Sequence, residues 1–259
     1  TEPLLEAAQR APEHLDVLER QGGLEPDPDV RYGILAKGAR LATELHETDR
    51  AIWMWESCRD IVPTDAATLD GLVSLFERTN RGKELVSVLS VRSRLAQRPP
   101  AARRTDYVRI ANILGETLGE VEEAIRAWDA EEQEFGESDE NIRARLSLYR
   151  ASRQWEKLAS LLERAASRPA PPEVQAHFLC ELGDVAREYL ETGPKAIHSY
   201  EASLQKDPRN EGSRAGLRSL LRRVELRSEA VRVLLFAHVE TDEWRAILDL
   251  TEHLSLIHI

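Results

Sequence analysis

The chain has 259 residues, with 35 Lys and Arg against 46 Asp and Glu, and a formal net charge of −11. This charge repels phosphate and disfavours nucleic-acid binding, and no apolar run approaches the ~20 residues that span a bilayer. The bias towards Leu, Ala, Glu and Arg favours helix over strand. We therefore predict an all-α chain, and the repeat described below predicts about 13 to 15 helices.

The first 22 residues are predicted to be the end of a helix hairpin. The residues on its first and second short helices are Leu4, Leu5 and Ala8, and Leu15 and Leu18, respectively. The chain begins with Thr instead of Met, and its end, LSLIHI, resembles translated sequencing-adapter sequence. We interpret the chain as a fragment of a longer protein in which residues 255–259 are not native.

Two helices are predicted next, from Val30 to His46 and from Asp49 to Ile61, and Pro63 ends the second. Thr64 or Asp65 then offers an N-cap oxygen to the following helix. Ser138 and Asn210 stand at the same place later in the chain.

A pattern of alanine, an aromatic residue and a third packing residue occurs three times, with steps of 73 and 72 residues. Its members are Ala51, Trp55 and Cys58; Ala124, Trp128 and Glu131; and Ala196, Tyr200 and Ser203. A proline precedes each unit at residues 28, 100 and 172. This period is twice that of a helix hairpin, so a second kind of hairpin is expected between the landmarks.

The second kind of hairpin is found at residues 142–166, which match residues 69–93 at an offset of 73. They also match residues 231–255 at an offset of 89, which pairs Trp155 with Trp244. The excess of 16 residues indicates an insertion, and Glu211 to Arg223 can supply one extra helix.

Most glycines and prolines fall at predicted turns, among them Gly22 with Gly23. Four glycines fall inside predicted helices, where a packing reason is expected: Gly38, Gly71, Gly183 and Gly216. At Gly183 we predict a close approach of the helix that carries Ala196, a small residue facing a small residue.

The residues Leu182, Gly183, Ala196, Tyr200 and Pro208 resemble the tetratricopeptide repeat (TPR) family, in the order that family shows. The other units resemble its degenerate bacterial versions, in which longer and shorter hairpins alternate. The resemblance implies a single array over residues 1–259, forming a right-handed superhelical solenoid of antiparallel hairpins. It also implies a scaffold for protein–protein interactions, with no catalysis, cofactor or metal.

The groove-lining pattern of the family, projected onto the matching first helices, nominates a polar set with a modest acidic excess. The set is Tyr32, Thr105, Asn112, Glu116, His177, Asp184, Arg187 and Glu188. With the net charge of −11, this set predicts a basic or amphipathic helical partner, no nucleic acid and no insertion into a membrane.

Other readings remain open. His177 and Cys180, three residues apart, have metal-ligand spacing but lack further ligands. The acidic run Asp129, Glu131, Glu132 and Glu134 is read as a solvated face instead of acid–base catalysts. The chain could also be a helical arm of a larger enzyme or regulatory protein, or an RNA-processing scaffold.

Single residues are read as follows. Cys58 and Cys180 are interpreted as packed thiols, because neither has a partner at disulfide spacing. Packing is predicted for Trp55, Trp128, Trp155 and Trp244, whereas Trp53 is expected to face away from the Trp55 side of its helix.

Overall fold

The computed structural model describes residues 2–255, with side chains for residues 10–250. Over this range the chain forms fourteen α-helices, one π-helical turn and no strand. The predicted all-α class and helix number are confirmed. None of these helices is long and apolar enough to cross a membrane.

The chain divides into two compact units, Thr1–Glu137 and Ser138–Ile259. In each unit, helices that follow one another along the chain pack against one another. The prediction that the whole chain forms one array stays a prediction.

The first unit contains α1 to α7 and the π-helical turn. Their bounds are α1 Glu2–Leu24, α2 Pro28–Glu44, α3 Thr48–Ile61, α4 Ala66–Arg78, α5 Gly82–Arg92, α6 Pro100–Asn112, the π turn Ile113–Thr117 and α7 Val121–Phe135.

The second unit contains α8 to α14. Their bounds are α8 Asp139–Ala151, α9 Trp155–Ser167, α10 Pro172–Glu188, α11 Gly193–Lys206, α12 Glu211–Leu220, α13 Val224–Glu240 and α14 Trp244–Ser255.

The start of the chain differs from the prediction, because α1 is one helix instead of two short ones. It contains Pro12, which removes one backbone donor but does not here end the helix. Leu15 and Leu18 are buried, whereas the side chains of Leu4, Leu5 and Ala8 lie outside the described residues.

Gly22 and Gly23 do not form the predicted turn but belong to the last turn of α1. A Cβ atom built on Gly22 would lie 2.6 Å from Cδ2 of Leu35 in α2. The glycine at residue 22 is therefore explained by close packing of α1 against α2, and not by turn geometry.

Six turns join the two helices of a hairpin, and each contains a residue in the left-handed region of backbone space. These residues are His46, Asn80, Gly119, Arg153, Glu191 and Asp242, with φ between 52° and 68°. The alternating long and short hairpins thus share one way of reversing the chain.

The predicted caps are present at the three equivalent helix starts. Side-chain oxygens of Asp65, Ser138 and Asn210 each accept a hydrogen bond from the backbone N–H three residues later. Each cap satisfies a donor that the first turn leaves without a partner.

The predicted extra helix is α12. Between α12 and α13 the left-handed turn residue is missing, and it reappears at Asp242 between α13 and α14. Residues 231–255 therefore form a hairpin like α8 and α9, as the offset of 89 predicted, and α12 is additional to the alternating pattern.

The glycines inside helices make room for large side chains. A Cβ built on Gly183 would lie 2.5 Å from Cε1 of Tyr200, and one built on Gly216 would overlap the same ring. In the first unit, a Cβ on Gly71 would lie 2.7 Å from Cε2 of Trp55. The predicted contact of Gly183 with Ala196 was wrong in its partner, because the aromatic ring of Tyr200 fills the space that the glycine leaves.

The tryptophans divide by their surroundings. Trp55 and Trp128 are buried, as predicted, and Trp53 is 43% exposed. Trp155 stacks on Tyr189 of α10, with ring centroids 3.8 Å apart.

The packing predicted for Trp244 was wrong, because its side chain is 66% exposed. Trp244 occupies the position of Trp155 in its hairpin, since each follows the left-handed turn residue by two positions. The helix after its hairpin covers Trp155, whereas no described element follows α14.

The acidic run of α7 is not uniformly solvated. Glu131 is fully buried, and its Oε1 accepts a hydrogen bond from Nε of Arg104 at 2.7 Å. It occupies the same packing position as Cys58 and Ser203, which are also fully buried. The charge is tolerated there because an arginine from α6 is paired with it.

Substitution of Gly216 by alanine tests the contact with Tyr200. We expect Gly216→Ala to lower the free energy of unfolding by about 1 to 3 kcal/mol, because the added methyl group overlaps the ring. In Gly33→Ala, the matched control, the methyl group meets nothing within 4 Å, so stability should rise by about 0.5 to 1 kcal/mol. If chemical denaturation gave the same change in the free energy of unfolding for Gly216→Ala and Gly33→Ala, the contact between Gly216 and Tyr200 would be contradicted.

Candidate partner-binding surface

The first helix of the long hairpin in the second unit, α10, carries four of the nominated residues. His177 and Glu188 are exposed, whereas Asp184 and Arg187 are partly buried. Glu181, Asp184 and Glu188 lie three and four positions apart, and Glu173 lies eight positions before Glu181, so all four carboxylates fall on one face of the helix. These residues form the acidic stripe of α10, namely Glu173, Glu181, Asp184 and Glu188.

Two of the nominated residues, Asp184 and Arg187, also form hydrogen bonds with the buried residue Tyr200. The hydroxyl of Tyr200 donates to Oδ1 of Asp184 at 2.7 Å, and Nε of Arg187 donates to the hydroxyl oxygen at 3.0 Å. Arg187 also donates to Oε1 of Glu188 at 2.6 Å. Burial and the neighbouring Asp184 raise the pKa of Tyr200, so its hydroxyl stays a donor at neutral pH.

The nominated residues of the first unit have different surroundings. The hydroxyl of Tyr32 donates to Oδ2 of Asp65 at 2.7 Å, so it supports the cap of α4. Thr105 is exposed on α6, and Asn112 is partly buried at its end. Glu116 is exposed but lies in the π-helical turn instead of a regular first helix.

Charge is distributed unevenly among these helices. Helix α10 contains four carboxylates and one arginine, a net charge of −3. Helix α6 contains three arginines and one aspartate, a net charge of +2, and α2 has a net charge of +1. Among these first helices, carboxylates are therefore in excess on α10, whereas α2 and α6 are basic.

A cleft in the first unit lies between the α4–α5 turn and the end of α6 with its π turn. It has a volume of about 340 Å³. Its walls include Phe76, Leu85 and Ile113, and an ion pair joins Arg109 to Glu77 at its side. We call it the first cleft.

A second cleft lies between α8, α9 and α10 of the second unit, with a volume of about 270 Å³. The stacked rings of Trp155 and Tyr189 contribute to its lining. An ion pair at 2.6 Å joins Arg150 to Glu181 at its side.

The two clefts are repeats of each other. Each residue that lines the second cleft matches one that lines the first at an offset of 72 or 73. The ion pair is reversed in sign, since Glu77 of α4 and Arg109 of α6 correspond to Arg150 of α8 and Glu181 of α10. Sequence reasoning missed both clefts, although their aligned positions carried the signal.

The metal hypothesis gains no support from geometry. His177 is exposed whereas Cys180 is buried, so the two side chains do not share an open face. Burial raises the pKa of the Cys58 thiol to about 12 and also raises the pKa of Cys180. Both thiols are thus protonated and packed, as predicted. Among the described residues, no group of three metal-binding side chains comes together.

No protein-family model matches the sequence, and neither does any curated protein. Solved structures of TPR proteins are similar in fold. YrrB, a TPR protein with an unusual peptide-binding site, is 13% identical, with 70% of this chain and 88% of YrrB covered and a TM-score of 0.39.

Two further solved structures of TPR proteins, one from a thermophile and one from yeast, are also similar to this chain. The TPR protein TTC0263 of Thermus thermophilus is 15% identical, with 73% and 98% covered and a TM-score of 0.33. The TPR2AB domain of yeast Sti1, in a complex with pHSP90, is 14% identical, with 88% and 99% covered and a TM-score of 0.31. The fold of this chain is TPR-like. At these identities and scores, the likeness extends no further than the helix-hairpin fold.

The reversed ion pairs allow a test by charge exchange. We expect Glu77→Arg to lower stability by up to about 1 kcal/mol, because it places a second guanidinium beside Arg109. Adding Arg109→Glu should restore the loss, since the double variant has the polarity of Arg150 and Glu181. A double-mutant cycle measured by denaturation should give a coupling of about 0.2 to 1 kcal/mol; additive single effects would show that the two groups do not interact.

Proposed function

We propose that this protein is a non-catalytic scaffold for protein–protein interactions that binds a basic, amphipathic helical segment along the acidic stripe of α10. The observation that carries the proposal is the placement of four carboxylates on one face of a first helix, with a net charge of −3 for the helix. An opposite charge on the partner is the simplest complement.

The dimensions of the stripe fit a helical segment. From Glu173 to Glu188 it spans sixteen residues, and the fifteen steps between them rise ~22 Å along a helix axis. A partner helix of three to four turns would match this length. Its basic residues would face the carboxylates, and the net charge of −11 would steer its approach at low ionic strength.

The ends of the stripe are the parts available to a partner. Asp184 accepts the hydroxyl of Tyr200, and Glu181 is paired with Arg150. Glu173 and Glu188 are exposed, and the ion pair of Glu188 is with its neighbour Arg187 on the same helix instead of with another helix. We therefore assign the main charge contacts to Glu173 and Glu188, with His177 between them.

Calorimetry with two synthetic peptides tests this proposal. A short amphipathic helix of Leu and Lys should bind the full chain, whereas its Leu and Glu counterpart should not. Binding should weaken between 0.1 M and 1 M salt, because the Debye length falls from about 10 Å to about 3 Å. Glu173→Lys and Glu188→Lys should each weaken it about two- to fivefold.

The repeat supplies a matched control. Glu116 stands at the position equivalent to Glu188, is also exposed, and changes the net charge equally when replaced by Lys. Glu116→Lys should leave peptide affinity nearly unchanged, because α6 is basic. Equal losses from Glu116→Lys and Glu188→Lys, or tight binding of the Leu and Glu peptide, would overturn the assignment to α10.

A further inference from the structure

We propose that the first cleft is a pocket for an aromatic side chain, Trp or Tyr, that a protein partner inserts. That the side chain comes from a protein rests on the proposed scaffold function. The pocket itself is argued from the comparison of two equivalent sites within this chain.

The repeat shows what kind of side chain can line such a cleft, since aromatic residues stand beside the open volume of about 270 Å³ in the second cleft. In the second cleft, the chain supplies its own aromatic pair, Trp155 and Tyr189, stacked with an interplanar angle of 8°. The equivalent positions in the first cleft are Gly82 and Thr117. The first cleft therefore lacks the aromatic pair, and its wall is a π-helical turn where the equivalent part of α10 is α-helical.

The surface left behind is suited to an aromatic ring. Phe76 and Leu85 are buried at the cleft, and Ile113 of the π turn completes an apolar wall. The volume of about 340 Å³ lies in the range of ligand sites, ~300 to 1,000 Å³. A π-helical turn at a wall is frequent at functional sites.

The polar residues of the cleft distinguish an aromatic from an aliphatic occupant. Arg109 lines the cleft with its guanidinium paired to Glu77, and burial lowers the pKa of that guanidinium. A planar guanidinium stacks well on an aromatic face. Asn80 and Asn112 also line the cleft, and an asparagine side chain can accept a hydrogen bond from an indole N–H or a phenol O–H, which need a partner when buried.

The experiment uses the full chain and two small probes, N-acetyl-tryptophanamide and N-acetyl-leucinamide. Chemical shifts of backbone amides should report binding of the tryptophan probe at millimolar concentration, as expected for one side chain. The shifted amides should be those of Asn80, Gly82, Asn112 and Thr117. The leucine probe should give shifts at least fivefold smaller at equal concentration.

Side chains that fill the first cleft should abolish the chemical-shift changes caused by the tryptophan probe. The double variant Gly82→Trp with Thr117→Tyr recreates the aromatic pair of the second unit and should reduce probe affinity at least tenfold. Because a Cβ at residue 82 would lie 3.3 Å from Cδ2 of Leu118, that side chain must shift. Asn112→Phe is therefore the second filling variant. Gly33→Trp, which adds a tryptophan in open space, is the control and should bind as the parent does.

The outcomes separate this proposal from the scaffold function. Absence of tryptophan-specific shifts at the cleft, or shifts that both filling variants leave unchanged, would overturn the pocket. If the Leu and Lys peptide failed to bind, only the proposed role of α10 in the second unit would be contradicted, because the first cleft contains no residue of α10. Specific shifts that the filling variants remove would support the pocket whatever the peptides do.

Discussion

The ring of Tyr200 lies where two glycines leave no side chain, and the packing of the second unit depends on this contact. Gly183 belongs to α10 and Gly216 to α12, and a Cβ at either position would overlap the ring carried by α11. Three successive helices are thereby held at fixed separations, because a packed interior accommodates an extra methyl group only by moving its neighbours. In the first unit, Trp55 against Gly71 repeats half of the arrangement.

The same tyrosine connects the core to the surface. Its ring is buried, while its hydroxyl reaches Asp184 and Arg187 on the polar side of α10. Asp184 and Arg187 therefore stabilise the fold, and these hydrogen bonds limit how far the two side chains can bind a partner. Residues at the ends of the acidic stripe have no such duty towards Tyr200, which is why the proposed contacts are assigned to Glu173 and Glu188.

Equivalent positions of the repeat carry side chains of different chemistry in the two units. One position, two residues beyond the left-handed turn, is Gly82 in the first unit and Trp155 in the second. The left-handed turn is common to both clefts, whereas the helix end is a π-helical turn in the first and α-helical in the second, so both backbone and side chains distinguish the two clefts. The reversed ion pairs at the two clefts show the same principle for charge. A repeat array can thus present chemically different surfaces on one framework.

Much of the fold was readable from the chain alone. The period, the caps at Asp65, Ser138 and Asn210, and the extra helix α12 were all predicted, because helix starts and stops are set by residues within a few positions. The partners of buried groups were not. Gly183 faces Tyr200 instead of Ala196, Glu131 is buried beside Arg104, and Trp244 is exposed although the equivalent Trp155 stacks on Tyr189. Each of these depends on which side chain another helix brings into contact, some 15 to 35 positions away along the chain, and helical periodicity specifies a buried face without specifying what lies against it.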